Sequence, residues 1–126
     1  MRIPHTLLAA ALLGASALAQ ALTMAPYSPE ALAKAQAAGQ PVALHFRADW
    51  CPTCRAQDKV LDSLKSDATL NITVLAVDYD KEVNLKKQDK VRAQSTFIVY
   101  KGTQETARMV GETSPEAVRA VLRSAL

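Results

Sequence analysis

The sequence predicts an α/β domain, a central mixed β-sheet with helices on both faces. Three observations carry that expectation. Two helix-start devices of one build, Ser28-Pro29-Glu30 and Ser114-Pro115-Glu116, bracket the domain. Each offers a serine cap, a proline at the first helical position and an acid in the first turn. Between them, short apolar runs alternate with helical stripes, the pattern of strands joined by crossover helices. Near the end, Lys101-Gly102-Thr103 separates two strand-like runs and predicts an antiparallel hairpin.

The first helix carries Ala31, Leu32 and Ala35 and stops at Gly39. Val42-Ala43-Leu44-His45-Phe46 is a short apolar run of the kind a buried strand needs. A helix follows from Cys51 to about Ser66, with Val60, Leu61 and Leu64 facing inward. Ile72-Thr73-Val74-Leu75-Ala76-Val77, rich in β-branched residues, is the second strand. Glu82 to about Lys90 reads as a short, lysine-rich helix. Thr96-Phe97-Ile98-Val99-Tyr100 is the third strand, and the glycine turn leads into a fourth through Ala107 to Val110. The last helix sets Val118, Val121, Leu122 and Ala125 on one stripe.

The first 21 residues have a different character. Met1-Arg2 forms a short positive start, and Leu7 to Leu18 is apolar except for Gly14 and Ser16. Ala17-Leu18-Ala19 and Ala19-Gln20-Ala21 both satisfy the small-x-small cleavage rule. This is the pattern of a secretory signal peptide, too short for a membrane span. The expected organisation is a cleaved signal over 1–21 and one compact domain over 22–126, with a periplasmic location. Losing Arg2 lowers the formal net charge from +3 to +2. Lys86, Lys87, Lys90 and Arg92 cluster without interleaved aromatic residues, so the cluster reads as a solvated helix face and not as a nucleic-acid site.

The chemistry lies in Trp50-Cys51-Pro52-Thr53-Cys54, which holds the only two cysteines. A bridge across two residues closes so short a loop that it removes little unfolded-state entropy. The spacing suits reaction instead. If Cys51 opens a helix, Cys54 lies one turn on along the same face, close enough to bond and to unbond. The pair is expected to be a dithiol/disulfide redox centre needing no cofactor and no resident metal. At the helix start, unpaired amides and the dipole favour the Cys51 thiolate, so Cys51 attacks and Cys54 resolves. Pro52 fits the first turn, where its missing N–H has no partner to lose.

Ala48-Asp49-Trp50-Cys51-Pro52-Thr53-Cys54-Arg55 resembles the strand-to-helix active-site motif of the thioredoxin-fold family. Ser95-Thr96-Phe97-Ile98-Val99 stands in the register of its cis-proline and following strand, and Gly111 matches the glycine after its hairpin. The resemblance covers nearly all of the chain after residue 21 and implies the thioredoxin fold. The Pro52-Thr53 pair is also similar to the periplasmic reductant of cytochrome c maturation. Ala48-Asp49-Trp50-Cys51 is similar to the C-terminal domain of the transmembrane thiol-electron carrier.

By that resemblance Trp50 packs beside the cysteines and shields them, and Trp50, Pro52, Thr53, Gln94 and Ser95 face the substrate. His45 stands where the family commonly has a buried acid beneath the second cysteine. Either it accepts the Cys54 proton, or it is a core histidine bonded to a backbone carbonyl. Ser95 replaces the cis-proline. A cis bond there would cost roughly 2.5–4 kcal/mol, against about 0.5–1 before proline, so the bond is either cis and enforced or trans in a different loop. Arg47 and Lys59 are surface variations by the same comparison.

The expected function is an exported thiol–disulfide oxidoreductase, a monomer exchanging disulfides with partner proteins. Oxidant relatives usually carry a helical insertion for which this chain has no room. That favours a reductant or electron relay fed by a membrane electron donor. The alternatives are a Cu(I)-binding module on the two thiolates, a periplasmic disulfide donor, and an interaction domain with a vestigial pair.

Overall fold

The computed structural model describes residues 21–126 and Gly14; the expected signal segment otherwise lies outside the described residues. Nine elements follow in order: β1 (Thr23–Pro26), α1 (Pro29–Ala37), β2 (Pro41–Arg47), α2 (Pro52–Leu64), β3 (Thr73–Asp78), α3 (Val83–Gln88), β4 (Thr96–Lys101), β5 (Gln104–Val110) and α4 (Pro115–Arg123). The sheet order is β1-β3-β2-β4-β5. The fold is the expected mixed α/β sheet, a thioredoxin fold. No helix among the described residues is long and apolar enough to cross a membrane.

The two Ser-Pro-Glu starts behave as read. Ser28 Oγ accepts from the Ala31 amide at 3.0 Å and Ser114 Oγ from the Ala117 amide at 3.2 Å. Gly39 ends the first helix at φ +66, a left-handed conformation open to glycine.

Strand side chains alternate between two cores because successive residues point to opposite faces. Ala43, Val74, Phe97 and Val99 pack with Leu61, Leu64, Val118 and Leu122 of α2 and α4. Val42, Leu44, Phe46, Leu75, Val77 and Ile98 face the other way, where Leu85 of α3 and the half-buried Leu32 of α1 cover them. Burial on both faces is why these strands read as unbroken apolar runs. The lysine cluster stays mostly exposed, with Lys86 Nζ 3.7 Å above the Tyr79 ring.

Two features differ from expectation. The short β1 was not foreseen: four partly exposed residues pair with β3 at the sheet edge, too few to show a period. The alternation of strands and helices implied parallel pairing for the strands before the hairpin, yet β4 runs antiparallel to β2. The intervening α3 has only six residues and spans about 9 Å, short of the ~20 Å needed to retrace a six-residue strand. The chain therefore turns back at the same end of the sheet. As a result the end of β2, the start of β4 and the end of β5 meet there, and everything reactive sits at that end.

Candidate active site

Cys51 is the N-cap of α2, extended at φ −87 and ψ 112, and its sulfur accepts from the Cys54 amide at 3.1 Å. Pro52 takes the first helical position, as expected. Both thiols are free and buried, Cys51 2% exposed and Cys54 fully enclosed. Pro52 itself is exposed, while Thr53 and Gln94 are half-buried at the rim.

Ser95 lies across the pair. Its Oγ is 3.3 Å from Cys51 Sγ and 3.0 Å from Cys54 Sγ. No peptide bond among the described residues is cis, so the bond before Ser95 is trans. The loop differs in another way: Ser95 sits at φ +62. That left-handed conformation costs a non-glycine residue roughly 1–2 kcal/mol and needs support from its surroundings. The Ser95 amide donates to Phe46 O at 2.8 Å, and the Gly111 amide donates to Ser95 O at 3.0 Å. Gly111, at φ +76, can present that amide without Cβ strain.

One hydroxyl has a single proton, so it donates to whichever sulfur carries the charge. Burial pushes the Cys51 thiol up, but hydrogen bonds from Cys54, from Ser95 and from the Cys54 and Thr53 amides outweigh it and hold the thiol below its ordinary value. Burial pushes the Cys54 thiol up, and its hydrogen bond with Cys51 adds to that rise. Ser95 thus donates to the Cys51 thiolate, as does the Cys54 thiol.

His45 is fully buried and stacked on Phe97, its cross-strand partner, at 4.2 Å between ring centres and 6° between planes. Its Nε2 is 2.8 Å from Gln57 Oε1. The Gln57 Nε2 group donates to Ser95 O at 3.2 Å and Glu112 O at 2.9 Å. With both amide protons committed, Oε1 must accept, so the His45 proton is on Nε2. Nδ1 has no hydrogen-bond partner among the described residues; Asp58 Oδ1 stands 3.7 Å away. Burial lowers the His45 pKa to about 4, against the Gln57 hydrogen bond and the Asp58 carboxylate that raise it. Asp58 is further engaged by Arg47, whose guanidinium also reaches Asp49.

Trp50 is 56% exposed, its indole N–H held by Asp80 Oδ2 at 2.7 Å. It borders a cavity of about 300 Å³ with Arg47, Asp49, Asp78 and Asp80 on its walls. The carboxylate ties the ring to the turn that follows β3.

The sequence model of the thioredoxin family matches residues 24–124. The chain belongs to the thioredoxin family. A thioredoxin of Coprinus comatus is 30% identical over 89 residues, which cover 70% of this chain and 83% of that one. A thioredoxin of Aspergillus fumigatus is 34% identical over 77 residues, covering 61% and 70%. Among solved structures, Trxlp from Edwardsiella tarda matches with a TM-score of 0.74 at 40% identity, over 79% of this chain and 98% of that one. Family and cysteine pair together make the chain a protein thiol–disulfide oxidoreductase.

In this thioredoxin-family chain the structure brings Cys51, Cys54 and Ser95 together and sets His45 apart. His45 makes no hydrogen bond to either sulfur; its protonated nitrogen meets Gln57 and its free nitrogen faces Asp58. Its partner is a side-chain amide and not the backbone carbonyl expected of a core histidine. Gln57 was missed. The signal lay in the stripe Cys54, Gln57, Leu61, Leu64, where one fully polar residue occupies a buried helix position.

A neutral folded His45 fixes a pH dependence. The unfolded ring takes up its proton near pH 6.5 and the folded ring near 4, so the unfolded state binds more protons between those values. Stability is complete above pH 6.5 and falls by about 3 kcal/mol as pH drops toward 4. Urea midpoints across this window are expected to show that decline in the wild type and to lose it in His45→Asn.

Proposed function

We propose that this oxidoreductase is an exported reductant or electron relay in which Cys51 attacks and Cys54 resolves. The observation that carries the assignment of roles is the convergence of the Cys54 amide and the Ser95 hydroxyl on Cys51 Sγ, with Cys54 one helical turn deeper.

The Cys51 thiolate attacks one sulfur of a partner disulfide. A Cys51–partner disulfide forms, the partner's own S–S bond breaks, and its second sulfur leaves as a thiolate that takes up a proton. That proton is the one Cys54 gives up, and the Cys54 thiolate, with the Ser95 hydroxyl 3.0 Å from its sulfur, attacks Cys51 Sγ. The mixed disulfide breaks, the partner leaves with both cysteines reduced, and Cys51–Cys54 closes. Two electrons have moved to the partner. A further turnover needs a dithiol donor, which for an exported chain is a membrane thiol carrier. Exposed Trp50 on one side and exposed Val110, paired with Thr96 beside Ser95, on the other give a protein partner apolar ground around the buried sulfurs.

Support for export is the charged start, apolar run and small-x-small sites within residues 1–21. Direction rests on the α2–β3 connection, which holds no helix, and the β3–β4 connection, which holds only the six-residue α3, where oxidant relatives usually carry a helical insertion.

Wild-type protein is expected to reduce insulin disulfides with dithiothreitol as donor. Cys51→Ser should fall to the background rate, and Cys54→Ser should accumulate one covalently held partner per chain, seen on non-reducing gels. Trapping by Cys51→Ser instead would reverse the roles. Export is checked by the N-terminal sequence of the protein recovered from a periplasmic fraction. A start near Leu22 supports the proposal; a chain beginning at Met1 and staying in the cytoplasm overturns it.

A further inference from the structure

We infer that Gln57 is a positioning residue of the redox site, holding Ser95 so that its hydroxyl stays between the two sulfurs. Among the described residues the buried polar side chains are His45, Gln57, Ser95 and Thr96, and three of them form one continuous chain of hydrogen bonds. Gln57 occupies a position that an apolar residue would fill without leaving polar atoms to satisfy. What it gains for that burial is a tie between segments distant in sequence. Its amide accepts from β2 through His45 and donates to the carbonyls of Ser95, before β4, and Glu112, after β5.

Those carbonyls belong to the turns whose backbones are left-handed, Ser95 at φ +62 and the neighbouring Gly111 at φ +76. Ser95 O takes one hydrogen bond from Gly111 and one from Gln57, while Glu112 O takes Gln57. Removing the amide leaves Ser95 held by backbone alone and strips Glu112 O of its side-chain donor. The Ser95 turn is then free to relax toward ordinary φ values, which swings Oγ away from Cys51 and Cys54.

His45 satisfies the other end of this amide. A glutamine side chain can present its oxygen or its nitrogen to either side with little difference in shape. The imidazole, locked by its stack on Phe97, places an N–H against one end of the amide. The two carbonyls fix the NH2 end of the amide, so the histidine N–H meets its oxygen. The histidine thus acts on the sulfurs through Gln57 and Ser95, three hydrogen bonds away, without exchanging a proton with either.

The inference rests on the reading of Cys51 as the attacking sulfur. Its test is a double-mutant cycle on the reduced chain, reading the pH profile of Cys51 alkylation by iodoacetamide in wild type, Gln57→Met, Ser95→Ala and the double variant. Gln57→Met fills the same volume without the donor. Its midpoint is expected to move upward, leaving about threefold to tenfold less thiolate at neutral pH. Ser95→Ala is expected to move it at least as far, and adding Gln57→Met to Ser95→Ala is expected to move it no further. An unchanged midpoint in Gln57→Met overturns the inference. So does an equal shift in both backgrounds, because Gln57 would then act on Cys51 by some route other than Ser95. Should Gln57→Met not fold, Gln57→Ala enters the same cycle, since the smaller side chain leaves room for water to meet the freed polar groups. Alkylation of Cys54 ahead of Cys51 in the wild type overturns the reading of Cys51 itself, and that is visible before any variant is made.

Discussion

A single serine hydroxyl held between two buried sulfurs is the constraint on which the rest of the site depends. It requires Ser95 to adopt a left-handed backbone, and that backbone requires partners on both sides of the residue. The sheet supplies them because its strand directions bring three chain segments to one end. β2 delivers Phe46 O, the turn after β5 delivers the Gly111 amide, and α2 leans over both with Gln57. The short α3 makes this possible by returning the chain at the reactive end. Had β4 run parallel to β2, Ser95 would start its strand at the opposite end of the sheet from Cys51.

Burial alone would leave both thiols protonated and slow. What separates them is where the donors point. The Cys54 amide and the Ser95 hydroxyl are aimed at Cys51, at the helix end where partial positive charge accumulates. Cys54, deeper and coupled to a neighbouring thiolate, is driven the other way. The result is one sulfur ready to attack and one held in reserve, from two residues of the same type three positions apart. A group that donates to a thiolate also stabilises the reduced pair, so Ser95 sets reactivity and redox balance together.

Much of this was legible in the sequence, and the gaps have physical reasons. The helix starts showed because capping chemistry is local: Ser28 and Ser114 needed only the next three residues. Strands buried on both faces announced themselves as apolar runs. The cysteine spacing fixed the reactive pair, and the registers of Ser95 and Gly111 marked the loops that face it. Strand direction was harder, since it depends on how far a six-residue helix reaches. The roles of His45 and Gln57 depended on a contact between β2 and α2 that neither segment displays alone. The partner of the Trp50 indole, Asp80, lies thirty residues on and outside the cysteine motif.

The most direct test is the reduction potential of the Cys51–Cys54 pair, in the wild type and in Ser95→Ala, by equilibration with glutathione or dithiothreitol. A hydrogen bond to a charged group contributes about 1.5–3 kcal/mol, and 30 mV corresponds to about 1.4 kcal/mol for a two-electron couple. The wild-type pair should therefore titrate as one reversible couple in the reducing range, and the alanine variant should be more reducing by roughly 30–60 mV. An unchanged or more oxidising Ser95→Ala would contradict the account, because the hydroxyl would then not be holding the charge of the reduced pair.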